Sequence, residues 1–318
     1  MPAISASAHG KVILFGEHAV VYGQPAIAVP LTQVRARAII TAEPHQPAGS
    51  VRIQAPNIGL EASLAELPPE DPLASAVKLV FTELGLSQSP ALSIRVTSTI
   101  PVAAGLGSGA AVSVVILRAL SEFLGRSLTN ERVSALAYEV EKLHHGTPSG
   151  IDNTVITFAR PVYFVRRQEG NLIETLRVAR SFTLVIADSG IPSPTAIVVG
   201  DVRRAWQVEP ARYQALFSAV GGLVKAARAA IERGETESLG SLMDENHALL
   251  CEMGVSSPEL ERLVAAARQA GALGAKLSGG GRGGNLIALV TPKTTGAVAQ
   301  ALRQVGATGM IITEVRKG

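Results

Sequence analysis

Pro101-Val-Ala-Ala-Gly105-Leu106-Gly107-Ser108-Gly109-Ala110-Ala111, with the apolar run that follows it to Leu124, is the stretch from which the rest of the chain can be read. Ahead of it, Leu92, Ile94 and Val96 alternate with Ser93, Arg95 and Thr97, the period of a half-buried strand. Behind it, Val112, Val115, Ile116, Ala119, Leu120 and Phe123 recur at helical spacing, and Gly125 stands where a helix commonly stops. The glycines therefore lie between a strand end and a helix start. There, free backbone N–H groups and the positive end of a helix dipole can hold a phosphate, and no Cβ keeps the anion away.

Three glycine-rich phosphate motifs compete for this loop. It lacks the Lys-Ser/Thr ending of a P-loop, which excludes a Walker-type NTPase. Gly105-x-Gly107-x-x-Ala110 satisfies the dinucleotide pattern, but that pattern needs a strand soon after the helix, and the next segment, Asn130 to His144, is again helical. The protein-kinase loop joins two strands, so a helix directly after the glycines argues against it. A tight turn serving only strand-helix packing stays open at this point.

The 318 residues suffice for two ordinary domains, and the 47% hydrophobic content can fill two cores built from Ala, Val, Leu and Ile. A formal charge of +3 with scattered Arg and Lys offers no nucleic-acid stripe. The single cysteine, Cys251, excludes an internal disulfide framework and is expected to act as a small apolar residue. With no signal-peptide pattern and no membrane-spanning apolar run, the expectation is a soluble cytoplasmic protein without a membrane partner.

Along the chain, Ile4 to Ala8 reads as a short strand, and Lys11 to Ala28 as hairpins around Gly16 and Gly23-Gln-Pro25. Val34 to Ile40 is a further strand, and Asp71-Pro72 caps a helix running to Gly85. In the Asn130 helix, Val133, Leu136, Ala137 and Val140 share a face with Glu141, whose inward carboxylate needs a partner or a cation. His145 to Asn153 reads as a loop and Val155 to Val165 as a strand. The polar segment Arg166 to Arg180 is expected to divide two domains, 1–175 and 176–318. The second half alternates as strand, helices, strand, strand, helix, strand, which predicts helices on one face of an antiparallel sheet, an α+β arrangement. Its loop Gly279 to Gly284 also matches G-x-G-x-x-G; a hairpin and a phosphate loop both stay open for it.

Lys11 to Ala28, the opening loop, His145 to Asn153 and Lys276 to Asn285 resemble the motifs of the GHMP kinase superfamily over nearly the whole chain. Gly16-Glu17-His18-Ala-Val-Val-Tyr-Gly and His145-Gly-Thr-Pro-Ser-Gly-Ile-Asp152-Asn153 favour mevalonate over galactose, homoserine or shikimate as the acceptor. The resemblance implies an α+β fold of two domains: an N-terminal domain like the second domain of ribosomal protein S5 and a ferredoxin-like C-terminal domain, with ATP and mevalonate in the cleft between. Phosphorylation of an alcohol asks for a triphosphate cradle, Mg2+ and a base or cation near the hydroxyl. By resemblance, Gly105, Leu106, Gly107, Ser108, Gly109, Ala110 and Ala111 form the cradle and Asp152 is the base. Lys11 would sit near Asp152 and the hydroxyl, lowering the pKa of the alcohol. Glu141, with Ser108, would hold Mg2+, while Glu17, His18, Thr195 and Gly280 would complete the mevalonate side.

Two positions depart from that pattern. Gly109 stands where many members carry the serine that reaches Mg2+, so Ser108 or water must supply the oxygen. His9 replaces a proline common before Gly10-Lys11, which predicts a looser turn. His144 and His145 lack the spacing of a zinc site. The rival readings are phosphomevalonate kinase or another small-molecule kinase of the superfamily, and a metabolite sensor that has lost turnover. The sequence leaves the oligomeric state open, a homodimer included.

Overall fold

A computed structural model of the chain describes residues 3–101, 104–145 and 148–318. The Val102-Ala103 part of the opening loop and Gly146-Thr147 of the aspartate motif lie outside the described residues. In chain order the elements are β1 (Ile4–Phe15), β2 (Pro25–Ala42), β3 (Val51–Ala55), β4 (Leu60–Ser63), α1 (Pro72–Glu83), β5 (Leu92–Ser98), α2 (Ser108–Phe123), α3 (Asn130–His145), α4 (Ile151–Phe158), β6 (Val162–Val165) and β7 (Leu172–Thr175). There follow β8 (Phe182–Asp188), α5 (Thr195–Val208), α6 (Pro210–Arg233), α7 (Thr236–Glu252), α8 (Pro258–Gln269), β9 (Gly274–Ser278), β10 (Asn285–Val290), α9 (Thr295–Gln304) and β11 (Gly309–Val315).

The chain forms two compact units. The first holds residues 1–10, 34–101 and 107–159; the second holds 11–33, 102–106 and 160–318. In the first unit, β3 pairs parallel with β5 and antiparallel with β4, while Ala36 to Ala42 of β2 run antiparallel to β5. Helix α2 is the centre of this unit: Val114, Val115, Ile116 and Leu117 are all fully buried, so one whole turn of it is enclosed by apolar packing. It packs against α1, α3 and α4. Asp71 caps α1 as expected, its Oδ1 accepting from Leu73 N (2.9 Å) and Ala74 N (3.0 Å).

In the second unit, Pro25 to Ala28 of β2 pair with β6, and β6 with β7. Strands β11, β8, β10 and β9, in that order, form a separate antiparallel sheet. Helices α8 and α9 bury Leu263, Val264, Val298 and Leu302 against Val185, Ala275, Leu286 and Ala288 of this sheet. By alternation, Lys276 of β9 points to the opposite face. The outer edge of β9 is covered by α7, whose Asp244 Oδ1 accepts from Ala275 N (2.8 Å) and whose His247 Nδ1 accepts from Leu277 N (3.3 Å).

Several local expectations change. Residues 151–158 form a helix, not a loop followed by a strand: their β-branched content favours a strand, yet Ile151, Asn153, Thr154, Val155, Ile156 and Thr157 are all buried, and α4 packs on α2 and α3. Asp152 therefore sits on the first turn of a helix. The connection Arg166 to Arg180 contains β7, a short strand completing a hairpin with β6. Within the predicted hairpin region, Ala19–Tyr22 make one turn of 3-10 helix. His9 lies inside β1, where there is no turn to loosen. Cys251 is half-buried and donates to Glu261 Oε1 (3.2 Å), and burial with that carboxylate raises its thiol to about 11. Among the described residues no helix is long and apolar enough to cross a membrane.

Candidate active site

In the first unit the glycine-rich loop enters α2. Gly107 is its N-cap at φ 77°, a left-handed conformation that glycine adopts without strain, and among the described residues no side chain caps the helix. The leading N–H groups of Ser108, Gly109 and Ala110 thus lack intrahelical partners, an arrangement that could hold an anion. Ser108 is half-buried, and among the described residues nothing lies within 4 Å of a Cβ placed on Gly109. Glu141 is on the inward face of α3 and 8% exposed, beside Val140 and Ala137. Asp152 occupies the first turn of α4 after Gly150 at φ 89°. Its neighbour Asn153 is buried, and Asn153 Nδ2 donates to Ser134 O and Ser134 Oγ, both at 2.9 Å, which fixes the start of α4 against α3.

In the second unit Lys11 is only 3% exposed, and its backbone N–H donates to Leu106 O (3.0 Å). Asn285 Nδ2 donates to Ala104 O, so β1 and β10 both hold the first part of the glycine loop. Gly16, at φ 101°, starts the turn after β1: a Cβ there would lie 2.6 Å from Ala26 Cα. Glu17 follows, and its Oε1 pairs with Lys276 Nζ. His18 adopts φ 60°, unusual for a residue with a side chain, and its Nε2 lies 3.0 Å from Gly280 O. Since a carbonyl only accepts, Nε2 carries the proton and Nδ1 is bare; Nδ1 has no hydrogen-bond partner among the described residues. Burial pushes the imidazole down to about 4, with the Arg282 and Lys276 charges adding to the shift and the Gly280 bond opposing it. His18 is therefore neutral at pH 7.

Gly280 in turn abuts α5: a Cβ on it would lie 2.6 Å from Thr195 Oγ1 and 3.0 Å from Ser193 Oγ. Ser193 Oγ also donates to Gly281 O (3.0 Å). Three of the residues expected on the mevalonate side, His18, Thr195 and Gly280, are thus brought together. The Gly279 to Gly284 loop joins two antiparallel strands, the hairpin alternative. Sequence reasoning gave no role to Asn153, Ser193 or Asn285, whose polar side chains hold backbone in place. It named the stretch Lys276 to Asn285 but gave Lys276 itself no role, although a lone cation inside the apolar strand Gly274-Ala-Lys-Leu-Ser was a visible signal.

His247, Cys251 and Glu261 form a further polar cluster with donor atoms within 4.8 Å of one another. A metal-bound imidazole donates its other N–H to a second partner. Here Nδ1 accepts from Leu277 N, so Nε2 is the protonated nitrogen and donates to Glu261 Oε1 (3.0 Å). The cluster is satisfied by hydrogen bonds and joins α7 and α8 to β9.

The model of the GHMP kinases N terminal domain matches residues 72–160, and that of the GHMP kinases C terminal domain matches 227–309. The chain is 37% identical over 334 residues to the mevalonate kinase of Thermococcus gammatolerans, covering 99% of this chain and 96% of that one. It is 36% identical over 289 residues to the mevalonate kinase of Methanothermobacter thermautotrophicus, covering 89% of each. Its structure is similar, at a TM-score of 0.85 and 33% identity over 99% of this chain and 96% of the other, to the L. major mevalonate kinase in complex with R-mevalonate. The two family matches and these likenesses over nearly the whole length agree with the fold: the chain belongs to the mevalonate kinase family of the GHMP kinases.

Proposed function

We propose that the protein transfers the γ-phosphoryl group of ATP to the C5 hydroxyl of mevalonate. The observation that carries this reading is the bond from Lys11 N–H to Leu106 O (3.0 Å), which ties a buried lysine to the first part of the glycine loop. The reaction forms the bond from O5 to Pγ and breaks the bond from Pγ to the β,γ-bridging oxygen, with ADP as leaving group. Gly105 to Ala111 receive the phosphates through backbone N–H groups. Asp152 takes the proton of the hydroxyl, and Lys11 stabilises the alkoxide character that develops as it leaves. Glu17, His18, Thr195 and Gly280 serve the mevalonate side. A neutral His18 offers no cation to a second phosphate, which supports an unphosphorylated acceptor.

Oxygen donors suit Mg2+, and Glu141 and Ser108 would hold it, with water completing the shell. Bound there, it would neutralise charge on the β and γ phosphates. Among the described residues, a Cβ on Gly109 meets nothing within 4 Å. Gly109→Ser is accordingly expected to lower the Mg2+ concentration for half-maximal rate severalfold while leaving the Michaelis constant for mevalonate unchanged; an unaltered Mg2+ titration would show that position 109 does not face the ion.

The boundary between N- and C-terminal halves is placed at residues 175 and 176, inside the stretch between family matches that end at 160 and resume at 227, whereas the compact units change over at 159 and 160 and take 11–33 and 102–106 with the C-terminal half. With a single cysteine and no disulfide, the chain suits the reducing cytoplasm. The test of the activity is ADP release from purified protein with ATP and Mg2+ over mevalonate, phosphomevalonate, galactose and homoserine. Turnover is expected with mevalonate, and silence there with turnover on another acceptor would overturn the substrate assignment.

A further inference from the structure

Lys276 is 0% exposed and Glu17 1%, so neither side chain reaches solvent. Lys276 Nζ donates to Glu17 Oε1 and to Leu277 O (2.7 Å), and these are the bonds through which its buried charge is compensated. Glu17 Oε2 is buried without a partner among the described residues, so the carboxylate depends on Lys276. Burial draws the ammonium below the usual lysine range, and Glu17 opposes that shift. Such a pair is a poor source of net stability compared with apolar residues of similar size, which asks what else it does.

Its neighbours supply the answer. The residue after Glu17 is His18, held at φ 60° and ψ −52°. A side-chain-bearing residue stays in such a conformation only where its surroundings over-determine it. Two attachments do so: the His18 ring is bonded to Gly280 O, and the preceding residue is tied to β9. Lys276 and Gly280 stand four residues apart in the same strand-and-loop segment, so one segment grips the turn on both sides of the His18 backbone. Ser278 Oγ, donating to Ile13 O (2.8 Å), fastens the same segment to the end of β1 that precedes the turn.

We infer that Lys276 is a positioning residue for acceptor recognition, and that Glu17 acts as the arm through which it sets His18 rather than as a group that touches substrate. The inference rests on the mevalonate reading. Its consequence is a division of effects: loss of Lys276 loosens the acceptor side and leaves the phosphate loop, whose backbone is held by Lys11 N and Asn285, as it was.

The experiment compares wild type with Lys276→Met, Glu17→Gln and the double variant, measuring Michaelis constants for mevalonate and ATP and thermal unfolding. Lys276→Met leaves a buried carboxylate unpaired and is expected to raise the mevalonate constant at least tenfold with the ATP constant within twofold. The double variant, which removes both charges, should recover at least half of that loss on a logarithmic scale. Should Lys276→Met not fold, Glu17→Gln carries the same test, with a smaller rise in the mevalonate constant alone. Equal rises in both constants, or a loss of thermal stability with both constants unchanged, would overturn the positioning role. Wild-type silence with mevalonate would instead overturn the activity, and the role with it; wild-type turnover keeps the two failures distinct.

Discussion

Asp152→Asn is expected to lower kcat by about 10²- to 10⁴-fold, the range typical of a lost general base, while the dissociation constant for ATP stays within about twofold. The substitution keeps the size and planarity of the side chain, so the first turn of α4 and the Asn153 bonds to Ser134 can persist. What disappears is the acceptor for the hydroxyl proton. Phosphoryl transfer passes through a loose transition state in which the nucleophile carries little charge until late, so the effect should lie toward the lower end of that range if positioning supplies most of the rate. The nucleotide is held elsewhere, by backbone of the Gly105 to Ala111 loop, and gains nothing from the carboxylate. Single-turnover ADP formation and equilibrium binding of a fluorescent ATP analogue separate the two quantities. A variant that kept most of its rate would show that Asp152 is not the base, whereas loss of nucleotide binding in parallel would place it among the groups that hold ATP.

What could be read from the sequence was whatever a local pattern dictates. The strand, glycine turn and apolar helix around residues 92–124 follow from a change of period at the glycines, and α2 and β5 lie where that change places them. The inward position of Glu141 follows in the same way from its spacing to Val133 and Ala137. Residues 151–158 defeated the pattern because they are buried on nearly every side. A short segment wedged between two helices carries no amphipathic period, and its β-branched side chains point to a strand until packing against α2 and α3 overrides them. Strand β7 was hidden for the opposite reason: it is four residues long and half-exposed, and its pairing to β6 is not a property of its own composition. The Lys276 to Glu17 pair spans 259 positions, a relation that no window of sequence contains.

The second large effect is expected at a position without a side chain. Gly274 begins β9 where α7 crosses its edge: a Cβ on Gly274 would lie 2.7 Å from Gly240 Cα, and a Cβ on Gly240 would lie 2.6 Å from the Leu273 carbonyl carbon. Both neighbours are backbone, so no rotamer change can relieve the contact, and helix and strand must separate. Separation also strains the bonds from Ala275 N to Asp244 (2.8 Å) and from Leu277 N to His247 (3.3 Å), leaving the edge of a buried strand uncovered. Gly274→Ala should therefore destabilise the protein by about 3 kcal/mol or more, above the usual range for one added methyl. In a melting experiment this would read as a fall on the order of 10 °C. Gly222→Ala is the control. It places the same methyl on α6 where nothing among the described residues lies within 4 Å, and the helix should gain about 1 kcal/mol from the lost flexibility of glycine. If the two variants melted alike, the close approach of α7 to β9 would not be the reason for glycine at 274. A Gly274→Ala protein that folds yet loses affinity for mevalonate more than for ATP would carry a further meaning, because the displaced strand is the one that bears Lys276.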